Sequence, residues 1–126
     1  MANAPLAPGG GIFEIEQEGD TIIVVPAADL QELEYQRIEE GARRILDLLS
    51  GDAVKNVVLD FCKTDSYGST ALCFFMKLWK RVRTQNGRMA FCNVSAHEKE
   101  ILQIMNLDSL WPICSTRAEA LAAVRG

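Results

Sequence analysis

Apolar and polar positions change period several times along this chain of 126 residues. Ile12 to Glu16 alternates apolar with acidic residues, Thr21 to Val25 is a β-branched run, and Gly19-Asp20 lies between them, which predicts a β-hairpin. Pro26 closes the second strand. From about Glu32 a helical period takes over, with Ile38, Ala42, Ile45, Leu46 and Leu49 on one stripe and Gly51 as a C-cap. Val57 to Phe61 is a short apolar run, the signature of a strand covered on both faces at the centre of a parallel sheet. A second helix is expected after Ser66 and up to about Gln85, with Leu72, Phe75, Met76, Trp79 and Val82 as its core stripe and Asn86-Gly87 as its stop.

Arg88 to Asn93 then reads as a strand, and Ser95-Ala-His-Glu98 as a capping box opening a third helix that carries Ile101, Leu102 and Met105. Leu110 to Cys114 is a last short strand, and Thr116-Arg-Ala-Glu119 a second capping box before a terminal helix. The order β-β-α-β-α-β-α-β-α predicts an α/β domain. Its sheet is small, mixed and mostly parallel, with an N-terminal antiparallel hairpin strand and about four helices. Residues 1–11, rich in Gly, Ala and Pro, read as a flexible lead-in, and residues 12–126 as one domain.

Composition narrows the functions. A 48% hydrophobic and 24% charged chain can build one ordinary core. Its net charge of −4 and pI near 5.0 argue against nucleic acid, which needs a basic stripe. No apolar run reaches the roughly 20 residues that cross a bilayer, and the first residues lack the regions of a signal peptide. No membrane insertion and a cytoplasmic location are expected. Cys62, Cys73, Cys92 and Cys114 form no C-x-x-C pair and have a single histidine, His97, to help them, so they read as free thiols, with no metal and no cofactor. Cys92 and Cys114 fall in predicted strands as small apolar residues.

In an open α/β sheet, function gathers in the loops beyond the carboxyl ends of the strands. Among these loops, Asp65-Ser66-Tyr67-Gly68-Ser69-Thr70 sets an acid and several hydroxyls at a helix start, where free N–H groups and the dipole favour negative charge. A phosphate on Ser66 suits that position, and Asp65 or Ser66 also serves as an N-cap.

The run Val57-Val-Leu-Asp-Phe61, then Asp65-Ser66-x-Gly68 and a long amphipathic helix, resembles the STAS domain of bacterial anti-sigma-factor antagonists. Asn93-Val-Ser95, Ile104-Met-Asn-Leu-Asp108 and Ser115-Thr-Arg-Ala-Glu-Ala-Leu121 extend the likeness over Ile12 to Val124. The resemblance implies a non-enzymatic switch. Ser66 is then the residue phosphorylated by a partner serine kinase that is also the anti-sigma factor, and a phosphatase resets it. Ala27-Ala28-Asp29 matches the family's second contact loop, keeping the acid at Asp29 without the usual glycine. Tyr67 and Ser69-Thr70 depart from the family's usual residues. The expected partner-binding residues are Asp29, Asp65, Ser66, Tyr67, Gly68 and Ser69. Phe74, off the main stripe beside Lys77 and Arg81, is expected to be exposed and to anchor the partner. Oligomeric state is left open.

Three rival readings stand beside this one. An unmodified STAS scaffold or lipid-transport subunit would share the fold. A receiver domain would use Asp60 as phosphoacceptor, but the acids and lysine that such chemistry requires around Mg²⁺ are not supplied. A hydrolase built on Ser66 or Ser69, Asp65 and His97 lacks the G-x-S-x-G elbow.

Overall fold

The computed structural model describes residues 4–5, 12–27, 35–51, 53–64 and 69–125. Strands β2 (Phe13–Glu18) and β3 (Thr21–Pro26) form the expected hairpin, in register from Phe13↔Pro26 to Glu18↔Thr21. Gly19 turns it at φ 62°, a left-handed conformation that costs glycine least. A two-residue strand β1 (Ala4–Pro5) pairs antiparallel with the outer side of β2, an edge position that tolerates proline. No period in the sequence announces it.

Strands β4 (Asn56–Asp60), β5 (Met89–Cys92) and β6 (Ile113–Cys114) continue the sheet in parallel, so the order β1 to β6 across the sheet is the order along the chain. Helices α1 (Tyr35–Leu49), α2 (Ser69–Thr84) and α3 (Ala96–Ile104) bridge successive parallel strands. Right-handed crossovers that all step one way put them on one face. There Ile45, Phe75, Leu78 and Leu102 bury against Ile22, Leu59 and Phe91. The other face belongs to α4 (Arg117–Arg125), whose Ala120, Leu121 and Val124 cover Ile23, Val58, Ala90 and Cys92. The mixed, mostly parallel architecture read from the sequence holds. No helix among the described residues is long and apolar enough to cross a membrane.

Two expectations need correction. Phe74 is buried, 4% exposed, with its ring 5.5 Å from Phe13 and 5.9 Å from Phe75. Helix α2 packs on α1 as well as on the sheet, so its buried arc is rotated toward Ala71, Phe74 and Leu78. Trp79 and Met76, placed in the core by the sequence pattern, lie partly buried at its rim. The apolar arc of α2 is wide enough to admit either rotation, and only the neighbouring helix chooses between them.

The strand expected over 110–114 is confined to Ile113–Cys114. Leu107 and Leu110 instead close a turn, through Leu107 N to Leu102 O (2.9 Å) and Leu110 N to Leu107 O (3.1 Å). Trp111 stacks on Phe91 at 4.9 Å. Pro112 has no N–H to give to a ladder, and contributes its carbonyl to Phe91 N (2.9 Å).

Candidate functional site

Parallel strands direct their carboxyl ends to one edge, where β4 ends on Asp60 and β5 on Cys92, in register with each other and with Cys114 of β6. Val58 and Asp60 share the α4 face, as the two-residue period of a strand requires. A carboxylate so buried, 2% exposed, must be paired. Oδ2 of Asp60 accepts from Arg117 Nε at 2.7 Å, from the first residue of α4. Its Oδ1 accepts from Asn93 Nδ2 at 2.8 Å and from the backbone N–H of Cys62 at 3.0 Å. Burial works to raise the acid's pKa, but the hydrogen bonds from Asn93 and Arg117, the latter's charge and the Cys62 amide together hold it below the ordinary value. Asp60 therefore stays an anion.

The residues around it are placed by local rules. Asn93 sits at φ 58°, a left-handed conformation that asparagine tolerates better than most residues. Arg117 lies within the second capping box foreseen in the sequence, directly after its Thr116 N-cap. Glu119 N donates to Thr116 Oγ1 (3.1 Å), while Glu119 Oε1 accepts from the N–H groups of Ser115 (3.0 Å) and Thr116 (3.2 Å). Its guanidinium also reaches Glu16 (3.3 Å). The acidic alternation of β2 thus has a structural use, since Glu14 pairs with Lys63 (2.7 Å), Glu16 with Arg117 and Glu18 with Arg125 (2.6 Å).

Beside this cluster lies an open cleft of about 550 Å³, lined among others by Cys62, Asn93, Lys99, Cys114 and Ser115. The thiols of the cleft, Cys62 and Cys114, and the buried Cys92 behind it are not activated. Burial, followed by the charge of Asp60, raises the pKa of Cys62 and pushes Cys92 up to about 12. Burial, followed by Glu119, raises that of Cys114. The described part of the site holds an anion in place and orders a turn. Asp60, buried with both oxygens engaged, does not present itself to a phosphodonor as the receiver reading requires.

Asp29, Asp65, Ser66, Tyr67 and Gly68 lie outside the described residues, as does the side chain of Ser69, which opens α2. His97 is exposed on α3. Sequence reasoning missed the Asp60–Arg117 pair, whose members stand 57 residues apart. The signal available was an acid ending a strand read as covered on both faces. It also missed Ile104 and Met105 as exposed apolar residues, 72% and 55% accessible at the end of α3.

Residues 13–120 match the family model of the STAS domain. The chain belongs to the STAS-domain family. BtrV of Bordetella bronchiseptica, a protein provisionally named an anti-sigma factor antagonist, is 27% identical over 105 residues, which are 81% of this chain and 80% of that one. An anti-sigma-factor antagonist (STAS) domain protein of Planctomyces limnophilus superposes on this STAS domain with a TM-score of 0.78 at 28% identity, over 90% of this chain and 98% of that one. SpoIIAA of Bacillus superposes in its phosphorylated form with a TM-score of 0.72 at 18% identity, over 90% of this chain and 99% of that one. At that identity the likeness concerns the fold.

Proposed function

We propose that this STAS domain is an anti-sigma factor antagonist, a cytoplasmic protein-binding switch and not an enzyme. In this reading it binds a serine-kinase anti-sigma factor, phosphorylation of Ser66 by that kinase releases it, and a phosphatase restores it. The observation that carries the reading is the STAS family match, joined to relatives named as antagonists and to the Asp65-Ser66-x-Gly68 sequence between β4 and α2. The contact surface comprises Asp29, Asp65, Ser66, Tyr67, Gly68 and Ser69, and Phe74 leaves it because its ring is in the core. Residues 12–126 would act as one unit, with residues 1–11 leading into it and lending it the edge strand β1.

The physics of a phosphate supports a switch of binding without a switch of fold. It adds roughly −1.5 to −2 charges at pH 7, and a helix N-terminus offers it N–H donors and a favourable dipole. SpoIIAA superposes on this chain in both its phosphorylated and its unphosphorylated form, with TM-scores of 0.72 and 0.70. A partner surface fitted to a neutral serine would instead bury an uncompensated charge.

Ser66→Asp should therefore melt within about 0.5 kcal/mol of the wild type, the range of a tolerated surface change, while losing affinity for the kinase. Ser66→Ala should bind and resist modification. Thermal melts, binding titrations with the kinase and phosphopeptide mapping test this together. Phosphate only on Ser69 or Thr70, or none at all, would overturn the reading, and the latter would favour an unmodified scaffold or transport subunit.

A further inference from the structure

The turn that leaves β4 and runs toward residues 65–68 is tied down at every described step. Phe61 N donates to Cys92 O (3.0 Å), Cys62 N to Asp60 Oδ1 (3.0 Å) and Thr64 N to Phe61 O (3.3 Å), while Lys63 Nζ reaches Glu14 (2.7 Å). The one carboxylate of Asp60 joins this turn to the β5–α3 loop through Asn93 and to α4 through Arg117. Three segments remote in sequence therefore meet on a single buried group. Neither the pairing of strands nor the burial of apolar area requires that arrangement, since a buried ion pair is weak support for stability. Its distinct physical effect is order: a segment already held in its binding geometry loses less entropy when a partner arrives.

We propose that Asp60 is a positioning residue, which with Asn93 and Arg117 latches the turn from Phe61 to Thr64 at the end of β4. That this turn leads into the partner-binding sequence rests on the Ser66 reading above. The latch itself does not. Because Asn93 is at φ 58°, Asn93→Gly keeps the backbone conformation and removes one hydrogen bond from the carboxylate. Arg117→Lys tests a second arm, the lysine keeping the charge without the Nε geometry.

The experiment is amide hydrogen exchange by NMR on the full chain, followed by steady-state phosphorylation with the serine kinase. In Asn93→Gly the Cys62 amide should exchange on the order of tenfold faster, the effect of losing one hydrogen bond, while Val58 and Ala90 keep their protection. Arg117→Lys should fall between wild type and Arg117→Ala. With the kinase, KM should rise severalfold at unchanged kcat. Unchanged exchange at Cys62, or an acceleration shared equally by Val58 and Ala90, would overturn the latch. A wild type that takes no phosphate on Ser66 would sink the functional reading, and Cys62 exchange would still decide the latch.

Discussion

Under α1, α2 and α3 the sheet presents Ile15, Leu59 and Phe91 to a cluster containing Phe74, Phe75 and Trp111, whereas under α4 it presents Val58, Ala90 and Cys92 to Ala120, Leu121 and Val124. The first face is deep and aromatic, with Phe75 edge-on to both Phe61 (5.7 Å) and Phe91 (5.2 Å). The second is smaller, holds no aromatic ring among its buried residues, and is bordered by ion pairs from Arg117 and Arg125. Hydrophobic stabilisation follows buried area, so the three-helix face should dominate it. Because α4 covers that face and opens on Arg117, its first residue reaches the carboxylate at the end of β4. One face supplies stability and the other supplies placement.

Truncation should separate the two. Phe75→Ala removes a fully buried ring and should cost about 3–5 kcal/mol in denaturant titration. A loss below that of any α4-face variant would reverse the comparison. Arg117→Ala leaves Asp60 buried without its cation and should cost about 1–3 kcal/mol, less than for a fully enclosed pair because Arg117 is 31% exposed. The effect should depend on pH in one direction. Asp60 has a folded pKa below its ordinary 3.8, so the pair stabilises above that value and loses its contribution as pH falls through the lower folded value. The difference between wild-type and Arg117→Ala melts should be full at pH 7 and shrink below about pH 3.8. Arg125→Ala breaks a half-exposed pair with Glu18 and should cost less than about 1 kcal/mol, vanishing in high salt.

Much of the deep face was legible because its period is local. Ile38, Ile45 and Leu49 fall on one helical stripe, and Val57 to Leu59 could only be a strand covered twice. The rotation of α2 was not legible, since Leu72, Phe74 and Phe75 are all apolar and the choice among them is made by α1. The extent of β6 failed for a different reason: Trp111 has strand propensity, but Pro112 and the turn after α3 override it. At the site, the reciprocal Thr116–Glu119 box was readable from spacing, as was the Ser95 half of the other, where Ser95 Oγ accepts from Glu98 N (3.2 Å). Asp60, Asn93 and Arg117 were each visible in the sequence, but their meeting depends on tertiary structure. A short-range pattern cannot express it.

Strand order along the sheet also bears on how the chain is made. A ribosome delivers roughly 5–20 residues per second, and here each parallel strand emerges beside one already present, preceded by the helix that bridges to it. The three-helix face can thus be assembled in the order of synthesis. The other face cannot. Ile23, Val25, Val58 and Ala90 are all translated before residues 117–125, the segment that covers them. For that interval a strip of apolar strand faces the solvent, and it is the surface on which a chaperone or a neighbouring nascent chain would first take hold.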